Sequence, residues 1–181
     1  LRPINDLTCS DGRIGGGPPT IGDFDGIPET TEVAVATGRY LIVMNEELEV
    51  ISKFETQDCS SLKTGISSFD FNGDKKPEIL YGDEEYLRIF EMRNGQLNVV
   101  HKIVNPSGTL NEYPVVADID GNGSSELLVA SNNYAVNGFY LDPTEAADRE
   151  AARAITGVRA FESAQADSWM PTRPIWHQFN F

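Results

Sequence analysis

Asp118-Ile119-Asp120-Gly121-Asn122-Gly123-Ser124-Ser125-Glu126 lies between two short apolar runs, Pro114-Val115-Val116-Ala117 and Leu127-Leu128-Val129-Ala130. Counted from Asp118, oxygen-bearing side chains fall at positions 1, 3, 5 and 9, with glycines at 4 and 6 where the backbone must turn tightly. A hard cation suits that arrangement, because Ca²⁺ takes about 6 to 8 oxygens at roughly 2.3 to 2.6 Å. The predicted ligands are the side chains of Asp118, Asp120, Asn122 and Glu126 and the carbonyl of Ser124. An EF-hand opens in the same way, but it closes on Glu at position 12 between two helices. Position 12 here is Val129 and the flanks are β-type runs, so the loop joins strands. Turn chemistry alone accounts for Asp, Asn and Gly in such a loop, but it has no need of an acid at position 9.

The loop recurs upstream. Asp70-Phe71-Asn72-Gly73-Asp74-Lys75-Lys76-Pro77-Glu78 precedes Ile79-Leu80-Tyr81, and Asp23-Phe24-Asp25-Gly26 precedes Glu32-Val33-Ala34-Val35-Ala36. The first residues, 23, 70 and 118, are separated by 47 and 48. A fixed period of about 40 to 50 residues with β-rich units signals stacked four-stranded blades of a propeller. The register extends past the loops, since Tyr40-Leu41-Ile42-Val43-Met44 matches Tyr86-Leu87-Arg88-Ile89-Phe90 at a step of 46.

The three copies are unequal as metal sites. The second keeps Asp70, Asn72, Asp74 and Glu78 at positions 1, 3, 5 and 9, with Lys76 at the position that offers a carbonyl. Lys75 replaces the glycine at position 6, and the two lysines add positive charge, so weaker binding is expected there. The first copy has Asp23 and Asp25 but Ile27 at position 5, Pro28 at position 6 and one extra residue before Glu32. It is expected to be the poorest of the three, its missing ligand left to water or Glu29.

These segments carry a resemblance. Gly17 to Gly26, Phe69 to Glu78 and Tyr113 to Gly121 resemble the repeats of the FG-GAP or VCBS family, extracellular β-propellers that include the head of integrin α chains. The likeness covers roughly residues 15 to 181, and the first motif departs from the pattern at Ile27. It implies four-stranded blades with Ca²⁺ in the loops between strands, and a place outside the cell or on its surface. It further implies a role in adhesion or in binding carbohydrate or protein, without catalysis. The expected architecture is therefore all-β, a partial propeller of about three four-stranded blades. The units are read as a lead-in or remnant of a preceding blade at 1–18, repeats at 19–65, 66–113 and 114–168, and the start of a further blade or closing segment at 169–181. Propellers close with about 4 to 8 blades, so a fragment of a longer chain, or an arc completed by further blades or a partner chain, is expected.

Composition agrees with this reading. The chain has 181 residues, with 28 acidic against 14 basic side chains and a formal charge of −14, which repels nucleic acid and anionic membranes. Ten of the 28 acids lie in the repeat loops, where clustered carboxylates repel one another unless a cation neutralises them. No apolar run approaches the roughly 18 residues of a membrane span, so direct membrane insertion is not expected. Cys9 and Cys59 lie 14 and 11 residues before their respective loops. They can pair in oxidising surroundings, but equivalent points on neighbouring blades can exceed the roughly 7 Å Cα limit, and the sequence leaves the question open.

Strands are predicted near 19–23, 32–37, 40–45 and 48–54, then 66–70, 78–82, 86–92 and 96–104, with Asn94-Gly95 as a tight hairpin turn. The third unit begins near 114–118 and 126–131, and its counterpart of Leu87-Arg88-Ile89-Phe90 is Val158-Arg159-Ala160-Phe161, about 23 residues late. The inserted stretch carries Asp142-Pro143-Thr144-Glu145 before alanine-rich sequence and Gly157, which predicts a short helix near 143–155. The tail from Trp169 to Phe181 is rich in aromatics. It reads either as strand packing on a blade or as a Trp and Arg cluster that grips a sugar or protein.

Nothing points to catalysis. His101 and His177 sit in no recognisable motif, and alternation puts His101 on an exposed strand position. No nucleophile elbow, zinc-ligand pair or phosphate loop is present, and Gly15-Gly16-Gly17 lacks a following helix. The favoured reading is a non-catalytic, calcium-binding module. Its alternatives are the scaffold portion of a carbohydrate-active lyase or hydrolase and a structural spacer.

Overall fold

The computed structural model describes Cys9 and residues 12–59, 61–134, 150, 152–165 and 168–172. Among these residues eleven strands form three antiparallel meanders. The first sheet contains β1 (Thr20–Gly22), β2 (Glu32–Ala36), β3 (Tyr40–Met44) and β4 (Val50–Glu55). The second contains β5 (Ile66–Phe69), β6 (Glu78–Gly82), β7 (Tyr86–Arg93) and β8 (Gln96–Val104). The third contains β9 (Val115–Ala117), β10 (Glu126–Ser131) and β11 (Gly157–Phe161). Each sheet is ordered as the chain runs, so the three are blades in an arc of an unclosed β-propeller.

The sequence period is visible as register. Ile79 opposes Phe90 in the second blade and Leu127 opposes Phe161 in the third, so β11 is the delayed counterpart of β7. Asn94 and Gly95 both have positive φ, at 52° and 71°, as the two-residue turn between β7 and β8 requires. β4 starts two residues later than expected because Asn45 builds a turn, accepting Leu48 N–H on its carbonyl and Glu49 N–H on its side chain. The third blade has three strands among the described residues rather than four. Of the helix expected over 143–155, residues 143–149 and 151 lie outside the described residues, and Glu150, Ala152 and Arg153 are helical.

Alternation sends successive residues to opposite faces, and neighbouring blades bury their facing sides against each other. Ala34, Ala36, Leu41 and Val43 of the first blade meet Ile66, Ile79, Tyr81 and Phe90 of the second. Leu80, Leu87 and Ile89 on the other face of the second blade meet Val116, Leu127 and Val129 of the third. Each fully buried Leu, Ile or Phe contributes roughly 1.5 to 3 kcal/mol. The leading strands of successive blades are stitched by hydroxyls. Thr20 Oγ1 lies 2.8 Å from Ser68 Oγ, and Ser67 Oγ donates to the Pro114 carbonyl at 2.6 Å.

Up-and-down order places the acidic loops at one end of the sheets and the β2–β3, β6–β7 and blade-to-blade connections at the other. Cys9 joins that second end by a disulfide to Cys59, with Cα atoms 5.9 Å apart. The two cysteines do not hold equivalent blade positions, which is why the distance objection raised by the sequence fails. Cys9 precedes β1 on a lead-in that folds back onto the connection after β4. A Cβ on Gly15 would run into the Leu62 backbone and one on Gly17 into the Thr64 backbone, so these two glycines serve close backbone approach. At the same end Asp83 is fully buried and paired with Arg88, and it accepts N–H groups from Gln57, Glu85 and Tyr86. Asp58 is also fully buried; its Oδ1 accepts the hydroxyls of Thr109 and Ser61 and its Oδ2 has no hydrogen-bond partner.

Candidate metal centre

Each acidic loop leaves a leading strand, turns through a glycine and re-enters the sheet at a glutamate. Gly26, Gly73 and Gly121 hold φ of 82°, 76° and 77°, which L side chains rarely adopt. The leading aspartate fixes the turn: Asp23, Asp70 and Asp118 each accept the N–H of that glycine at 2.7 Å. The closing glutamate is the first residue of β2, β6 or β10 and is buried in all three. Its Oε2 accepts the N–H of loop position 2, from Phe24 at 2.8 Å, Phe71 at 2.9 Å and Ile119 at 2.8 Å. The position-9 acid, which the sequence suggested only as a ligand, therefore also braces the loop.

In the third loop the carboxylate oxygens of Asp118, Asp120 and Glu126 lie within 4.8 Å of one another. Asp118 spends one oxygen on Gly121 N–H and the other on Gly123 N–H at 3.1 Å. Asp120 accepts both the backbone and the side-chain N–H of Asn122, and Asn122 Oδ1 accepts Ser124 N–H at 2.7 Å. Ser124 is buried and its hydroxyl donates to the Trp169 carbonyl at 3.4 Å. Glu126 Oε1 is buried with no hydrogen-bond partner. A buried charged oxygen without a donor is costly, and its placement against two further carboxylates fits a cation.

The first loop forms the same kind of group from Asp23, Asp25 and Glu32, all within 4.8 Å. The sequence ranked this copy lowest and did not count Glu32 among its ligands. A turn in which Thr30 N–H donates to the Ile27 carbonyl takes up the extra residue, so Glu32 still arrives at the head of β2. Glu29, the expected substitute, is exposed. The signal for Glu32 was its place as the first residue of a β-run, shared with Glu78 and Glu126.

The second loop is arranged differently. Asp70 accepts N–H groups from Gly73, Asp74 and Lys75, and Asn72 Oδ1 accepts Asp74 N–H while its amide donates to Glu78 Oε1 at 2.9 Å. Asp74 accepts Lys76 N–H and lies 3.8 Å from Lys76 Nζ. Both Glu78 oxygens are thus engaged, and among the described residues convergence of three carboxylates is confined to the first and third loops. Burial pushes the Glu78 carboxyl above its ordinary range, and Asp70 and Asp74 add to the shift. Lys75 occupies the position-6 turn at a φ of 70°, close to the 90° of Gly123, so the loop path survives the loss of glycine.

The tail packs onto these loops. Trp169 meets Phe71 with ring centroids 4.5 Å apart, and Met170 N–H donates to the Phe71 carbonyl at 2.9 Å. Arg173 and the residues after it lie outside the described residues. No helix among the described residues is long and apolar enough to cross a membrane.

Comparison with known proteins bears on the same segment. Residues 70–129 match the family model of the FG-GAP-like repeat. The crystal structure of the V. cholerae biofilm matrix protein Bap1 is similar to this chain with a TM-score of 0.68 at 30% sequence identity. The match covers 83% of this chain and 23% of Bap1, so the chain spans less than a quarter of that protein. No curated protein matches the sequence.

Proposed function

We propose that this chain, whose residues 70–129 match the FG-GAP-like repeat, is an extracellular, non-catalytic binding module whose acidic loops hold Ca²⁺. One site carries the metal reading: carboxylate oxygens of Asp118, Asp120 and Glu126 lie within 4.8 Å of one another, and Glu126 also holds a buried oxygen that no donor satisfies. Asp118, Asp120, Asn122, Glu126 and the Ser124 carbonyl would hold the ion in the third loop, and Asp23, Asp25 and Glu32 in the first. All-oxygen, carboxylate-rich sets of this kind suit a hard cation. Bound there, Ca²⁺ supplies the positive charge that turns mutually repelling carboxylates into a crosslink between adjacent strands. The protein's own residues do the positioning. Asp118 and Glu126 are held by backbone N–H groups, so little side-chain freedom is left to lose on binding. The similarity to a biofilm matrix protein supports a place outside the cell and a role in adhesion to a glycan or protein.

Calorimetric titration of Ca²⁺ into EDTA-stripped protein tests this reading, with thermal melts in parallel. The expected result is one or two sites and a higher melting temperature. Absence of both heat and shift would make the loops ordinary turns braced by their own hydrogen bonds.

A further inference from the structure

The second and third blades do not pack as the first and second do. Between the first two, Val43 and Ile51 are covered by Phe90, Met92 and Leu97, and Leu97 N–H donates to Ser52 Oγ at 2.9 Å. Both blades carry a β-bulge at the same place, so the counterparts of Val43, Ile51 and Ser52 are Ile89, Val100 and His101. Among the described residues the third blade has no strand equivalent to β8 to cover them. Trp169 stands there instead, fixed on Phe71 and by the backbone bond of Met170. Among the described residues this indole, in place of a strand, borders a cleft of about 300 Å³, at the small end of the roughly 300 to 1,000 Å³ usual for ligand pockets.

The lining of this cleft is amphipathic. The bulge turns the adjacent residues Val100 and His101 into it together, where a regular strand would send them to opposite faces. Glu91 and Arg93, two apart on one face of β7, pair at 2.6 Å on its rim, and Asn72 borders it from the second loop. Aromatic and aliphatic surface thus sits beside two carboxylates, Glu78 and Glu91, a guanidinium, an imidazole, an amide and the Ser168 hydroxyl. A purely apolar ligand would desolvate those groups without giving them partners. An anion would meet a chain of formal charge −14 and an arginine already paired with Glu91. A pyranose fits both requirements, since its C–H face packs on an aromatic ring and each hydroxyl both donates and accepts.

We propose that this cleft binds one residue of a neutral saccharide, with Trp169 as the stacking surface and Glu91, Arg93 and His101 as partners for its hydroxyls. This names a ligand class for the binding module proposed above and rests on that reading.

The test is tryptophan fluorescence of the full chain in Ca²⁺, titrated with methyl glucoside, methyl galactoside, methyl mannoside and N-acetylglucosamine. Glucuronate serves as the anionic probe and N-acetylphenylalanine amide as the apolar one. The expected result is saturable binding of at least one neutral sugar, weakened at least ten-fold in Arg93→Ala and in His101→Ala. Both side chains are exposed, so both variants should melt with the wild type. The proposal is overturned if no neutral sugar binds, if only glucuronate or the amide binds, or if both folded variants bind as tightly as the wild type. A Ca²⁺ titration of the same preparation separates the two readings. Calcium binding without sugar binding removes the cleft and leaves the loops, and sugar binding without calcium binding does the reverse.

Discussion

Replacing Glu126 by Gln separates the two tasks of the closing acid. Oε2 accepts Ile119 N–H at 2.8 Å, a bond that an amide oxygen can keep, while the buried, unpartnered Oε1 is the atom that argues for a cation. In divalent-free buffer the substitution removes repulsion. Carboxylates whose oxygens lie within 4.8 Å repel by about 1 to 3.5 kcal/mol per pair for effective dielectric constants between about 80 and about 20. The melting temperature of Glu126→Gln in EDTA should therefore equal or exceed that of the wild type. With Ca²⁺ at about a hundred times Kd, a single native-state site stabilises by about 2.7 kcal/mol, and a variant binding about a hundred-fold more weakly keeps only about 0.4 kcal/mol. At roughly 2 to 4 °C per kcal/mol for a chain of this size, the wild type gains about 5 to 11 °C and the variant about 1 to 2 °C. Scanning calorimetry with and without Ca²⁺ reads both numbers. A Glu126→Gln protein that retains the full wild-type shift would refute the assignment of this oxygen as a ligand.

Asp58→Asn should flatten the pH dependence of stability. Burial holds the Asp58 carboxyl above its ordinary value of 3.8, against the opposing hydrogen bonds from Thr109 and Ser61. The folded state therefore binds its proton more tightly than the unfolded chain, and wild-type stability from this group is lost as pH rises from about 3.8 through the raised folded value. Urea melts of both proteins across that interval isolate the residue; a wild-type minus variant difference that grows with pH contradicts the sign. Lys75→Gly should stabilise by about 0.5 to 1 kcal/mol, because it relieves a left-handed backbone at φ 70° at some cost in unfolded-state entropy. Gly123→Ala, at φ 90° with open space around its Cβ, should cost about 1 to 2 kcal/mol through backbone strain alone. Equal denaturation midpoints for wild type and both variants would remove the strain argument. Cys59→Ser should lower stability by about 2 to 4 kcal/mol, since the bridge closes a loop with a sequence separation of 50. An unchanged midpoint in non-reducing buffer would mean that the bridge adds no constraint.

The blade arc was legible because its signals are local and repeated. Strand alternation, the Asn94-Gly95 turn and the 46-residue step from Tyr40 to Tyr86 each act within a few residues, and together they fixed the delayed counterpart at Val158 to Phe161. The relative merit of the loops was less legible, because convergence depends on where a turn delivers the last acid. Ile27 and Pro28 broke the pattern on paper, yet the Thr30 to Ile27 turn restores Glu32 to the group. The second loop kept the pattern, yet Asn72 occupies Glu78 Oε1 and Lys76 draws on Asp74. Hydrogen bonds inside a loop are chosen by rotamers, which spacing does not specify.

Two features lay beyond local reading. The disulfide depends on a lead-in that packs against the connection after β4, a contact spanning about one repeat, with no periodic signal to announce it. The cleft depends on something missing from the pattern. Its walls are ordinary strand positions, whose counterparts between the first two blades are filled by Leu97 and Met92. His101 corresponds to Ser52, which is buried at 5% exposure and bonded to the next blade, whereas His101 is exposed and, among the described residues, Trp169 stands where that strand would be. The repeat supplies the rigid walls, and its interruption at the third blade supplies the opening. A strand restored there would close the cleft over the same residues.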